Sequence, residues 1–170
     1  MRTLACLCVA LFACGPAEPS PGPAAPIVAA DLVPDKLDVA AEPAIYDVDA
    51  DAQALFDQAL TRAREQHKRV LVTIGGNWCV WCHKLHMLLR RDPAIAARLG
   101  RSYVELRLDS AAHEAVVGRL APDPKGGVPF LFVLAATGEV LARQETGSLE
   151  LGPRHDPVKV LAFLDAHAGA

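Results

Sequence analysis

Cysteine is scarce in this chain. There are five in 170 residues, and three of them, Cys6, Cys8 and Cys14, fall within the first fourteen positions. Only Cys79 and Cys82 remain for the rest, which excludes a framework of structural disulfides, since that needs more cysteines at longer spacings. An excess of charge of one sign is also missing: 17 Lys and Arg stand against 20 Asp and Glu, a net charge of -3. No basic field is available for nucleic acid, so nucleic acid is not expected as a partner. The apolar run at the start, Leu4–Ala13, has ten residues, too few to span a bilayer. No internal repeat is visible. What is present is enough chain for one domain with a real core.

The start reads as a leader. Arg2 supplies a positive charge ahead of the ten-residue apolar stretch, the pattern of a signal peptide. The sequence Leu11-Phe12-Ala13-Cys14-Gly15 resembles the lipobox of bacterial lipoproteins, in which the cysteine is acylated and becomes the mature N-terminus. The resemblance implies a signal peptide over 1–13, lipidation at Cys14 and tethering to a membrane without crossing it. Ordinary cleavage and an uncleaved anchor are the alternatives. From 14 to 45 the chain carries Pro16, Pro19, Pro21, Pro23, Pro26, Pro34 and Pro43 among alanines. This composition predicts an extended tether, or a leader with no spacing role. The folded domain is expected over 46–170.

Leu55, Phe56, Ala59, Leu60 and Ala63 recur at helical spacing, with Asp49 or Asp51 able to cap. Arg69–Ile74 is a β-branched apolar run of buried-strand length, followed by the turn Gly75-Gly76-Asn77. A helix begins near Cys79 and ends before Pro93, and another turn or two follow to Leu99. Tyr103–Leu108 alternates as a strand. Ala111–Leu120 reads as a short helix capped by Asp109 or Ser110, and Pro122–Gly127 as a loop. Phe130–Leu134 and Val140–Gln144 flank the turn Thr137-Gly138 as a hairpin. A last helix starts at Pro157 with Asp156 as its cap. The order predicts an α/β fold, a central mixed sheet of about four to five strands with helices on both faces.

Chemistry concentrates in Trp78-Cys79-Val80-Trp81-Cys82, where strand gives way to helix. Two thiols three positions apart can close into a disulfide and reopen, and a lone close pair in an exported protein reads as redox-active. Cys79 falls at the helix N-terminus, where unpaired N–H groups and the dipole favour a thiolate. It is therefore the expected nucleophile, and Cys82, one turn on and deeper, the resolving thiol. Trp78 and Trp81 would wall the site, or simply pack. His83 would stabilise thiolate as a cation, or lie solvated on the helix. Lys84 and His86 read as surface residues, as do His67, His113, His155 and His167.

With these residues the chain resembles the thioredoxin-fold family, in particular its exported W-C-x-x-C lipoproteins. The strand before Trp78–Cys82, Gly127-Val128-Pro129, Gly138-Glu139-Val140 in the closing hairpin and Phe163-Leu164-Asp165-Ala166 at the end of the last helix all fit, over roughly 46–168. The resemblance implies a cis bond before Pro129, which an X–Pro step permits but does not demand. It also implies that Pro129 keeps metals off the cysteines and that Val128 bonds substrate backbone. Two departures stand out. Thioredoxins carry a buried Asp six residues ahead of the first cysteine, and here that position is Thr73, which cannot ionise. Glu105 falls where thioredoxin has the lysine beside that Asp, which makes Glu105 a candidate proton acceptor or else a solvent-facing strand residue. The dipeptide Val80-Trp81 replaces Gly-Pro, which alters redox poise.

Three rivals compete. Cys79-Val80-Trp81-Cys82-His83 is also the c-type haem pattern, with His83 axial and Met87 a doubtful second ligand. Cys79, Cys82, His83 and His86 offer soft ligands for copper or zinc. A non-catalytic binding module could keep the fold alone. The reading that takes in most residues is a thiol–disulfide oxidoreductase without cofactor or resident metal, lipid-anchored and facing the periplasm. It would reduce disulfides of exported partner proteins with electrons from a membrane donor.

Overall fold

The structure, a computed structural model, describes residues 32–120 and 127–169. The leader, Cys14, the tether as far as Asp31 and all but Gly127 of the loop expected over Pro122–Gly127 lie outside those residues. Among the described residues no helix is long and apolar enough to cross a membrane.

Helix α1, Ala52–Glu65, starts at Asp51, whose carboxylate accepts from the amides of Gln53 and Ala54. Strand β1, Arg69–Gly75, follows, then helix α2, Val80–Arg91, with Cys79 as its N-cap. Helix α3, Pro93–Ser102, is longer than the expected turn or two. Asp92 ends α2 and caps α3, and Pro93 takes the first helical position, where a missing N–H costs nothing. Strand β2 is Tyr103–Asp109 and helix α4 is Glu114–Leu120. That helix starts three residues later than expected. Asp109 instead accepts from the amides of Ala111 and Ala112 and closes a turn. Strands β3, Phe130–Leu134, and β4, Val140–Glu145, form the hairpin, with Gly138 at φ 93° in its turn. Two strands of two residues each, β5 (Glu150–Leu151) and β6 (Arg154–His155), make a small separate hairpin that no periodicity foretold. Helix α5, Pro157–Ala166, closes the fold behind its expected cap, Asp156.

The main sheet has the order β2-β1-β3-β4, with β2 parallel to β1 and the rest antiparallel. Strand alternation sorts the core into two. Leu71, Tyr103, Leu131 and Val133 point to the face covered by α2, α3 and α5, against Leu85, Leu88, Ile95 and Leu164. Val70, Val72, Leu106, Leu108, Phe132 and Leu134 point to the other, covered by α1 and α4. Burying each large side chain contributes about 1.5–3 kcal/mol.

The domain begins earlier than the sequence suggested. From Leu32 to Ile45, expected as tether, the chain lies on the α2 face as a strap. Leu32 and Val33 are buried, and Leu37 packs against the core cluster they belong to. A single 3-10 turn at Val39–Ala41 satisfies the carbonyls of Asp38 and Val39 within the strap, and distant side chains reach others. Arg91 donates to the carbonyl of Leu32 at 2.9 Å, Lys84 to that of Asp35 at 2.6 Å and Arg107 to that of Ile45 at 2.9 Å. Asp35 also pairs with Arg154.

Candidate active site

Strand β1 delivers the chain to Gly75, the loop Gly76–Trp78 turns it, and α2 starts at the cysteines. Cys79 and Cys82 are joined in a disulfide, their Cα atoms 5.2 Å apart. Cys79 has extended backbone, φ -91° and ψ 109°, and its Sγ takes the place of a capping oxygen, accepting from the amide of Cys82 at 3.1 Å. Opening the disulfide would leave the Cys79 sulfur against that amide at the positive end of α2, a setting that favours thiolate. Cys82 is the deeper sulfur, 1% exposed against 5% for Cys79.

The Val128–Pro129 peptide is cis, and the carbonyl oxygen of Val128 lies 3.6 Å from Sγ of Cys79. The hydroxyl of Thr146 donates to the carbonyl of Pro129 at 2.6 Å and fixes this loop from the end of β4. The approach from β3 and the start of α2 thus meet at one sulfur.

The tryptophans divide. Trp78 is 68% exposed and folds back over Gly76, where a side chain would strike its indole. Trp81 is half-buried. It stands edge-on to His155 with ring centroids 5.3 Å apart, and the ammonium of Lys84 lies 5.1 Å from its ring. Val80 is exposed at the outer rim.

Four residues expected at the surface or in solvent are buried: His83, Lys84, His113 and His155. His83 is not a solvated helix residue, since it is 3% exposed. Its Nε2 bonds the carbonyl of Asn77 at 2.9 Å, and because a carbonyl only accepts, that nitrogen carries the proton. Lys84 is held by two carbonyls, those of Asp35 and Pro153, each at 2.6 Å, which replace its hydration. Asp109 donates its amide to Nδ1 of His113 at 3.1 Å. His155, 1% exposed, has no hydrogen-bond partner for either ring nitrogen among the described residues. Burial, and then the charge of Lys84, push its pKa down to about 4. His67 is exposed and His167 half-buried.

Beneath Cys82 lies a small cavity whose walls include Thr73, His86, Glu105 and Arg107. Glu105 is no free solvent-facing carboxylate. It pairs with Arg90 at 2.6 Å and lies 4.0 Å from Arg107. The imidazole of His86 is pushed down to about 4, first by burial and then by Arg107, Arg90 and His83. Nε2 of His83, one of the soft ligands that the rival copper or zinc reading would use, is committed to the carbonyl of Asn77. Among the described residues no three of His, Cys, Asp and Glu are grouped to hold an ion.

The family model for thioredoxin-like proteins matches residues 51–136, half of the chain. The chain belongs to the thioredoxin-like family. Its fold is similar to that of a disulphide isomerase from Xylella fastidiosa Temecula1, at 24% identity and a TM-score of 0.64, covering 74% of this chain and 98% of that one. It is also similar to the C-terminal domain of DsbD from Neisseria meningitidis in its oxidised form, at 20% identity and a TM-score of 0.50, covering 69% and 97%. These likenesses describe the fold. No curated protein matches the chain.

Two residues of the site precede or escape the motif reading of this thioredoxin-like domain. Tyr46 lies before the matched stretch and is 2% exposed, packed with both cysteines. Asn77 was read only as part of a turn. Its Oδ1 accepts from the amides of Ile45 and Tyr46, both at 2.9 Å, and its Nδ2 donates to the carbonyl of Tyr46 at 2.8 Å. The signal for Tyr46 was faint but present: Ile45-Tyr46 is an apolar pair closing a stretch of prolines and alanines.

Proposed function

We propose that this chain is a thiol–disulfide oxidoreductase that reduces disulfides in exported partner proteins. The observation that carries the reading is the Cys79–Cys82 pair at the start of α2, with the Val128 carbonyl and Pro129 across from the outer sulfur. In the reduced protein, the Cys79 thiolate attacks one sulfur of a partner disulfide. A Cys79–partner bond forms and the partner's own S–S bond breaks, releasing its other sulfur as thiolate. The Cys82 thiolate then attacks Sγ of Cys79. The Cys79–Cys82 bond forms, the mixed disulfide breaks, and the second partner sulfur leaves as thiolate. Two electrons have moved to the partner, and solvent supplies the protons its thiolates take up.

In this reading Val128 offers its backbone to the partner's extended chain and Pro129 keeps metal ions from the thiols. Val80 and Trp81 shape the rim, and Glu105 accepts a proton through the cavity beneath Cys82. A pair placed in an oxidising compartment stays oxidised unless a dedicated donor reduces it, so a membrane electron donor belongs to the proposal. So do cleavage before Cys14, acylation of that residue and a position facing the periplasm, which rest on the lipobox resemblance.

The test is the redox potential of the pair, read in a glutathione or dithiothreitol series. A value near about -270 mV supports a reductase, whereas one near about -120 mV marks an oxidant and reverses the direction. Absence of any reversible disulfide would remove the enzyme reading.

A further inference from the structure

Gly75 locates a relation that the hydrogen-bond pattern alone does not show. A Cβ built on Gly75 would lie 2.3 Å from the phenol oxygen of Tyr46 and 2.6 Å from Sγ of Cys82. The two atoms can stand no farther apart than those distances placed end to end. The space a side chain would occupy is the space they share, which is why glycine stands there. The phenol oxygen is buried and has no hydrogen-bond partner among the described residues. Phenylalanine would fill the same volume without an orphaned hydroxyl, whose burial alone is costly. A hydroxyl kept at this point suits a partner that exists in another state of the pair, and the atom beside it is the sulfur that becomes a thiol or thiolate on reduction.

The placement is fixed from the site itself. Asn77, in the loop that carries Cys79, grips the backbone of Ile45 and Tyr46 through three hydrogen bonds, and Arg107 holds the carbonyl of Ile45. Burial pushes the phenol pKa up, so it remains a donor throughout the working pH range. Thr73 occupies the position from which an ionisable group would act, and Cys82 is almost without water. A thiolate there needs a donor. The other charged or titratable groups facing this corner are Glu105, Arg107 and Asp109 from β2 and His86 from α2.

We propose that Tyr46 takes part in the resolving step, its hydroxyl donating a hydrogen bond to Sγ of Cys82 once the disulfide opens and holding the thiolate that attacks the mixed disulfide. The proposal rests on the oxidoreductase reading above. The sulfur chemistry is that of the second step already balanced there, and Tyr46 keeps its proton throughout.

The experiment compares wild-type protein with Tyr46→Phe, reduced and mixed with an aromatic disulfide that releases a coloured thiolate at each step. The first release reports attack by Cys79 and the second attack by Cys82. The expected result is a first release within twofold of wild type and a second slowed about tenfold, with its pH midpoint raised, the loss of one hydrogen bond to a charged sulfur. The pair should also become about tenfold harder to reduce, a potential about 30 mV more negative. A folded Tyr46→Phe protein with both the second release and the potential unchanged overturns the proposal. Asn77→Ala, which frees the Tyr46 backbone and keeps the phenol, should shift the same two readings in the same direction. Should Tyr46→Phe not fold, unchanged readings in Asn77→Ala overturn the proposal instead. If wild-type protein itself forms no reversible disulfide, the oxidoreductase reading fails first, and that outcome is distinct from either variant result.

Discussion

The two faces of the central sheet are built for different purposes. The face under α1 and α4 is hydrocarbon: Val70, Val72, Leu106, Leu108, Phe132 and Leu134 interdigitate with Ala59, Ala63, Val116 and Leu120. The face under α2 carries comparable apolar weight but also Thr73, His83, Lys84 and, at its end, Asp109, together with the strap and the β5–β6 hairpin that hold them. The first face is cheap to build and tells nothing of chemistry. The second takes on polar groups that cost free energy to bury, and nearly all lie within reach of the cysteine-bearing helix. Polar burial in this molecule therefore marks the site, and stability and reactivity should come apart when the two faces are changed separately.

The sharpest break is at the sulfurs. Cys79→Ser should abolish disulfide exchange while leaving the fold intact, because serine is itself a good N-cap for α2. Cys82→Ser should trap a partner on Cys79 as a mixed disulfide, visible as a covalent adduct by mass spectrometry. An adduct forming on Cys82 in Cys79→Ser protein, and none in Cys82→Ser, would reverse the assigned roles. The counterpart on the other face is Phe132→Ala. Phe132 is fully buried in the core of the opposite face, so truncating it should cost about 3–5 kcal/mol of stability by denaturant unfolding. The redox potential of the folded fraction should not move. A shifted potential would show that the faces are coupled.

His155 tests the polar face through pH. Its folded-state pKa is about 4 against an ordinary 6.5, so the folded protein keeps the ring neutral while the unfolded chain takes up a proton. Stability is then complete above about pH 6.5 and falls as the pH drops toward 4, by up to about 3 kcal/mol. Urea midpoints measured at pH 7 and pH 4.5 should diverge in wild type and converge in His155→Phe, which keeps an aromatic edge against Trp81. Some dependence should persist, since His86 is displaced in the same direction. Equal divergence in both proteins would mean that His155 is not the source.

Much of this arrangement was legible in the chain. The apolar periods located α1, β1, β3 and α5, Asp156-Pro157 marked a helix start, and the cysteine spacing marked the site, to which the family resemblance added Gly127-Val128-Pro129. What was not legible depends on residues far apart in sequence. Prolines and alanines before Ile45 read as a tether because local composition carries no trace of Lys84, Arg91 and Arg107, which supply the strap's hydrogen bonds. Lys84 and His155 read as surface residues for the same reason. A lysine becomes tolerable in the interior only when two carbonyls from other elements converge on it. Strands β5 and β6 are too short to show a period of two. Tyr46 shares both difficulties, lying ahead of the motif region and gaining its meaning from a glycine 29 positions on.

The smallest expected effect belongs to Glu105, on the α2 face of β2. Its carboxylate lies on the wall of the cavity under Cys82 but is already engaged by Arg90 at 2.6 Å, with Arg107 close behind. A carboxylate so placed is within reach of the Cys82 proton, though its Oε2 is shared with two guanidinium groups. Glu105→Gln removes the acceptor and keeps the shape. The surface-side pair with Arg90 is worth little, so stability should change by less than about 1 kcal/mol. Exchange should slow about threefold, with its pH dependence displaced upward as Cys82 loses an acceptor. Stopped-flow rates from pH 5 to 9 decide the matter. If rate and profile both match wild type, the proton leaves Cys82 by another route, and Glu105 is a strand residue whose partners are arginines.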